Sequence, residues 1–174
     1  FHASRGTYFK WAAHDDVLAP GFLTACLNGF EAADEKTMLV YPNSAFTDEQ
    51  LVPLEQSFRY IHAVSNRTPV RLWQTLLGFD RVTSIFGLFR RDLLSNTKLI
   101  DTYEGSDFDL LVETALLGKI VKLEGDVLFF RRLHDNISTM AARDTEQLLA
   151  WFDTDSHLTL RKQRSRKRRF LSSI

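Results

Sequence analysis

An α/β fold, with strands and helices alternating along one domain, is what the sequence predicts, and three observations carry that prediction. Short apolar or aromatic runs recur at Tyr8–Ala13, Met38–Tyr41, Ser84–Phe89, Ile120–Leu123 and Val127–Phe130, each of a length that suits a buried strand. Between them lie stretches whose apolar residues recur at helical spacing. The 174 residues are 44% hydrophobic and 25% charged, with 14 Phe, the composition of an ordinary globular domain with a filled core. No internal repeat or Gly/Ser linker interrupts them, so the chain reads as one structural unit followed by a tail.

Phe1 to Gly6 reads as the end of a helix closed by Gly6. The strand Tyr8–Ala13 comes next and runs into two adjacent carboxylates, Asp15 and Asp16. Pro20 suits the first turn of a helix on which Phe22, Leu23, Cys26, Leu27 and Phe30 make one stripe. Met38–Tyr41 is expected to be a strand stopped by Pro42, with residues 43–55 a polar loop that turns at Thr47-Asp48-Glu49. Thr68 as cap and Pro69 as first residue start a helix whose apolar face is Val70, Trp73, Leu76 and Leu77, ended by Gly78. Within Ser84–Phe89, Gly87 marks close approach of a ligand or another backbone. Ser106 is the expected cap of the clearest helix, Tyr103–Gly118, with Phe108, Leu111, Val112, Ala115 and Leu116 as its stripe. Ile120–Leu123 and Val127–Phe130, broken by Gly125-Asp126, lead into Arg131-Arg132-Leu133-His134, and a last helix covers Glu146–Phe152.

Charge is unevenly spread. The net charge is zero, yet residues 161–174 hold seven Lys/Arg and no acid, which leaves 15 basic against 22 acidic side chains in residues 1–160. The tail, with Phe170 and Leu171 adjoining, suits an anionic lipid surface, a solvated end or, last, a nucleic-acid patch. The single Cys26 excludes an internal disulfide and fits a reducing compartment. No run approaches the roughly 18 apolar residues of a membrane span. The chain opens on Phe1, without an initiator Met or signal peptide, and is expected to be a piece of something longer.

Acid pairs at the carboxyl end of a strand stand where open α/β sheets bind ligands. Two hard oxygen donors side by side suit Mg²⁺ or Mn²⁺ held against a phosphate. They equally suit a solvated turn whose acids favour the next helix's N-terminus, and spacing alone does not separate the two. Asn66-Arg67-Thr68 and Asn136-Ile137-Ser138 match the glycosylation pattern by accident, since nothing points to secretion. Trp73 is the aromatic best considered for sugar stacking.

Four features occur in order: Asp15-Asp16 after Gly6–Ala13, Ile85-Phe86-Gly87-Leu88-Phe89-Arg90-Arg91, Gly105-Ser106-Asp107 followed by Glu113–Gly118, and Phe130-Arg131-Arg132-Leu133-His134. Together they resemble the family 2 glycosyltransferases, inverting enzymes of the GT-A fold, over roughly residues 3–140. The resemblance implies a partial GT-A domain in residues 1–140, followed by a C-terminal helix in 141–160 and the basic tail in 161–174. It implies that Asp15 and Asp16 belong to the metal motif with Mg²⁺ or Mn²⁺, that Asp107 is the general base, and that His134 stands on the metal or diphosphate side. Arg131 and Arg132 would face the donor diphosphate. The chain departs from the family's pattern at Ala13, where an acid is usual, which affects a nucleoside-side contact.

The chemistry needs these residue types. A leaving diphosphate develops negative charge that a carboxylate-held cation stabilises, and the acceptor hydroxyl needs a carboxylate to take its proton. Family members carry an N-terminal nucleotide-binding half ahead of the acid motif, whereas this chain begins almost at that motif, so it is read as the metal and acceptor half. Alone it is expected to be inactive, with a first strand that has lost sheet neighbours. The expected partners are a nucleotide-sugar donor, a glycan or lipid-linked acceptor and an anionic membrane touched by residues 161–170, with no nucleic acid. The expected place is the cytoplasm, peripheral to the inner membrane face. Two rival readings are a nucleotidyltransferase of similar architecture, which also uses paired acids and metal, and a non-catalytic basic-tailed binding module.

Overall fold

Alternating strand and helix formers do yield a mixed α/β domain. The computed structural model describes residues 1–55, 59–78, 83–103 and 105–133; the expected helix at Glu146–Phe152, the basic tail and His134 lie outside the described residues. In chain order the elements are β1 (Tyr8–Phe9), β2 (Val17–Leu18), α1 (Phe22–Ala32), β3 (Thr37–Thr47), α2 (Thr68–Leu77), a 3₁₀ turn (Thr83–Phe86), β4 (Leu88–Arg90), α3 (Arg91–Leu94), α4 (Ser106–Leu117) and β5 (Lys119–Arg132). The five strands form one mixed, strongly curled half-barrel sheet in the order β1-β4-β3-β5-β2. Only β3 and β5 run parallel, and the helix α4 that leads into β5 is what returns the chain for that pairing.

Both faces of the sheet are covered, and β3 shows how. Successive residues alternate sides: Leu39 and Tyr41 enter a core with Phe89, Leu110, Leu111 and Ile120, while Val40 joins Phe22, Cys26, Phe30, Leu88 and Phe129 beneath α1. The period-4 set Phe22, Cys26 and Phe30 faces inward, whereas Leu23 and Leu27 of the same expected stripe are exposed. Gly21, at a φ of 89°, starts this helix in a left-handed conformation one residue past Pro20.

Several elements depart from the sequence expectation for identifiable reasons. Phe1–Gly6 is a turn rather than a helix end, closed by the Ser4 N–H and Oγ–H, which both donate to the Phe1 carbonyl. Pro42 does not stop β3. It sits at a register shift, where its missing N–H costs no ladder bond, and the strand continues through Thr47. Gly125-Asp126 likewise bulges within one long β5 instead of dividing two strands. The turn at Asp48 is present, its Oδ1 accepting from the N–H groups of Gln50 and Val52. The cap of α4 is Gly105, at a φ of 84°; Ser106 is the first helical residue, and its Oγ donates to the Asp101 carbonyl.

Gly87 fulfils its expectation as a site of backbone approach. A Cβ there would stand 2.7 Å from Leu39 Cδ1, 2.7 Å from Tyr41 Cβ and 2.8 Å from the Val40 carbonyl oxygen. The Leu39 terminus could shift, but Tyr41 Cβ and the Val40 carbonyl are fixed to the β3 backbone. Gly87→Ala is therefore expected to destabilise the fold by about 1–3 kcal/mol, seen as a lower urea midpoint.

At the amino end of the parallel pair, the Lys119 ammonium donates to Asp34 Oδ2 at 2.9 Å. That hydrogen bond, followed by the N–H of Lys36, holds the Asp34 carboxyl below the ordinary carboxylate value. A depressed folded value means that the bridge stabilises at pH above the unfolded pKa and loses its contribution as pH falls through the folded one. The stability difference between wild type and Asp34→Asn should therefore be present at about pH 7 and shrink at about pH 3, as followed by urea denaturation.

Candidate active site

The acid pair lies on the segment that joins the two edges of the sheet. After β1, residues 10–16 cross from one edge to the other and enter β2, which pairs with the end of β5 through Val17↔Phe130 and Leu18↔Phe129. This places Asp16 beside the carboxyl end of β5, where its Oδ1 accepts the Arg132 backbone N–H at 3.1 Å. Asp15, with a side chain 25% exposed, is reached by His14 Nδ1 at 3.7 Å. Val17 and Leu18, unrecognised in the sequence as a strand, are what fix the register of the pair.

Burial raises the Asp16 carboxyl above its usual range. The Arg132 N–H opposes that rise, the Asp15 charge adds to it, and the charges of Arg131 and Lys10 oppose it. One neighbouring carboxylate and two cations therefore act on one half-buried carboxylate. The Arg131 charge thus acts on Asp16, whereas Arg132 meets that acid through its backbone N–H. The Arg131 guanidinium lies 5.8 Å from the Phe46 ring centroid. Among the described residues the buried Arg132 Nε has no hydrogen-bond partner. An unsatisfied buried guanidinium donor is uncommon in a finished fold and is a natural contact for an anion.

Lys10 is a component that the sequence did not single out. Its ammonium stands 5.2, 5.7 and 5.9 Å from the ring centroids of Phe22, Phe129 and Phe86 and donates to the Trp11 carbonyl at 2.7 Å. The negative ring faces hold the cation in place of lost water. Burial pushes the ammonium down from the ordinary lysine value, and the Asp16 carboxylate counters that shift. A lone lysine in an aromatic run has no spacing signal; only the fold brings the three rings around it.

Asp107 occupies the first turn of α4, its Oδ1 accepting the Phe108 N–H at 2.9 Å. The helix ends at the amino side of β5, so its N-terminus lies at the far end of an element about 18 Å long, towards the carboxyl ends of β3 and β5. A second first-turn acid, Asp109, is buried and accepts the Tyr103 hydroxyl at 2.6 Å. The structural duty at this helix end thus falls to Asp109, and the less buried Asp107 is left towards solvent. Among the described residues no hydrogen bond or ion pair joins Asp107 to Asp16.

Asp15 and Asp16 could offer hard oxygen donors of the kind that Mg²⁺ or Mn²⁺ takes. Small hard cations of this class need one or two protein carboxylates, with phosphate and water completing the shell, and Asp15 and Asp16 supply two. Among the described residues no group of three or more His, Cys, Asp and Glu side chains converges, so an ion here would rest on this pair. The chain matches no family model, and no curated protein matches it.

Cys26 faces the same inner core as Lys10 but not as a nucleophile. Burial pushes its thiol up to about 12, with the Leu88 backbone and Lys10 only partly opposing this. The folded chain should therefore leave Cys26 unreactive towards a disulfide reagent near neutral pH, and full reaction should appear only in denaturant. Absorbance of the released thiolate checks this.

Proposed function

We propose that this chain is the metal- and acceptor-side part of an inverting GT-A glycosyltransferase resembling family 2. The complete enzyme would transfer a sugar from a nucleotide-sugar donor to an acceptor hydroxyl. The observation that carries the reading is the junction at the end of β5. There, Asp16 accepts the Arg132 N–H, and the same arginine has a buried Nε without a partner among the described residues. Acid, arginine and a second arginine at one strand end form a place for a diphosphate and its counter-ion.

In this reading Asp15 and Asp16 would hold Mg²⁺ or Mn²⁺, which supplies Lewis-acid stabilisation of the leaving diphosphate. Arg132 donates to a diphosphate oxygen through its unsatisfied Nε, and Arg131 adds positive charge beside it. Lys10, seated over three rings, keeps a cation near Asp16 and limits repulsion between the two acids. Asp107, in the first turn of α4, takes the proton of the attacking hydroxyl. One displacement inverts the anomeric configuration. His134 belongs to the proposed metal side but lies outside the described residues. The basic residues 161–170, outside them too, are proposed to approach an anionic membrane carrying a lipid-linked acceptor.

The test is made on the complete enzyme. Titration calorimetry with Mn²⁺ and a nucleoside diphosphate should show metal-dependent binding, which Asp15→Ala/Asp16→Ala removes while the circular dichroism stays unchanged. Asp107→Asn should keep that binding and lower transfer by about 10²–10⁴-fold. Manganese-dependent donor binding by the double variant would refute the metal assignment. Wild-type turnover by Asp107→Asn would refute the base.

A further inference from the structure

We propose that the outward face of α2 is a docking surface for an anionic membrane, formed by Trp73, Leu76 and Leu77 and extended by Leu117. The helix is inverted relative to its pattern. Its buried residues are Arg71 and Thr75, whereas Trp73 is 61% exposed, Leu77 51% and Leu76 44%. Leu117, at the end of the α4 helix on which α2 packs, adds a further side chain at 49%.

Arg71 is the cause of the inversion. Its guanidinium makes five hydrogen bonds: Nε to the Ala115 carbonyl at 2.8 Å, Nη1 to the carbonyls of Ser65 and Asn66, and Nη2 to Thr68 Oγ1 and the Leu116 carbonyl. None of these partners is a carboxylate. Two are carbonyls of the last turn of α4, the negative end of a helix dipole. Rolling α2 to bury its leucines would break the two bonds to the Ala115 and Leu116 carbonyls of α4 and leave a buried cation short of partners. The apolar face is therefore held outward by a specific device, and a contiguous face of this kind marks an interaction site.

The charges around it favour lipid as the occupant. Arg67 caps the N-terminus and is exposed, and exposed Arg59 donates from Nη1 to the Leu77 carbonyl, so a cation stands at each end of the helix. Thr68–Leu77 contains no acidic residue. Trp and Leu on one face, with arginines at the margin, are what an interfacial helix presents to anionic headgroups. The inference uses neither the basic tail nor the acid pair, so it stands independently of the transfer reading.

The experiment uses the full chain with vesicles of phosphatidylcholine alone and of mixed phosphatidylcholine and phosphatidylglycerol. Brominated acyl chains in the mixed vesicles should quench a component of the tryptophan emission that is absent in Trp73→Phe. Trp73→Ser/Leu77→Ser should lower co-sedimentation with mixed vesicles by roughly tenfold or more, with unchanged circular dichroism because both sites are exposed. Arg59→Gln/Arg67→Gln should reduce the preference for the anionic vesicles. Removal of residues 161–174 should weaken overall binding yet leave Trp73 quenching in place. Absence of Trp73 quenching, or equal sedimentation of the double variant, would overturn the proposal. So would a vesicle-free dimer that Trp73→Ser/Leu77→Ser converts to monomer, since that result would assign the face to a second copy of the chain.

Discussion

The register between β3 and β5 is the constraint on which the rest of the site depends. Tyr41 pairs with Lys122, but Asn43 already pairs with Val127, so two residues on one strand face five on the other. The excess at 123–126 bulges out around Gly125, which has a φ of 114° and whose carbonyl accepts from Asn43 Nδ2 at 2.6 Å. Beyond the bulge the pairing continues to Thr47↔Arg132, and β2 docks on Phe129 and Phe130. A change of one residue would turn every side chain from Val127 to Arg132 to the opposite face. Phe129 would leave the core beneath Lys10, and the Arg132 N–H would no longer meet Asp16. Pro42 contributes by placing the missing donor where the ladder is already broken.

Charge burial is handled in the same manner at two distant places. Lys10 is held by ring faces and Arg71 by carbonyls, so neither cation is neutralised by a close carboxylate among the described residues. A carboxylate partner would have tied up an acid or introduced one. At Lys10 this leaves the positive charge shared with Asp16 through space; at Arg71 it fixes the rotation of a helix. Asp15 and Asp16 meanwhile stay partly exposed.

How much was legible in the sequence follows from how local the deciding forces are. The inward set Phe22, Cys26 and Phe30 and the carboxyl ends of α2 and α4 at Gly78 and Gly118 rest on periodicity and on glycine signals, and these were readable; the caps were not, since Arg67 and Gly105 stand where Thr68 and Ser106 were expected. The location of Asp15-Asp16 was not readable either: the expected strand Tyr8–Ala13 is only Tyr8–Phe9, and the pair stands at the amino end of β2, a two-residue strand too short to leave a periodic signal. The orientation of α2 was not, because the carbonyls that capture Arg71 come from residues 44 and 45 positions further along the chain. Ser84–Phe89 read as a strand, yet its first part coils into a 3₁₀ turn before the three-residue β4, since Gly87 must lie against β3. Arg131 and Arg132 were singled out as side chains, whereas half of the Arg132 role is a backbone N–H that any residue would supply.

The segment carrying the acid pair is also a tie across an arch. Phe9 stands level with Leu39 through Phe89, and Val17 stands level with Ala45 through Phe130. In a flat sheet those two points would be four strand spacings and six residues apart, a diagonal of roughly 27 Å. Eight virtual bonds from Phe9 to Val17 span at most about 26–29 Å. A flat sheet would therefore draw the tie to its limit, and curling is what gives it slack. Bending and strap length become one variable: flattening the arch tightens the chord on which Asp15 and Asp16 ride, and deepening it lets them settle towards Arg132.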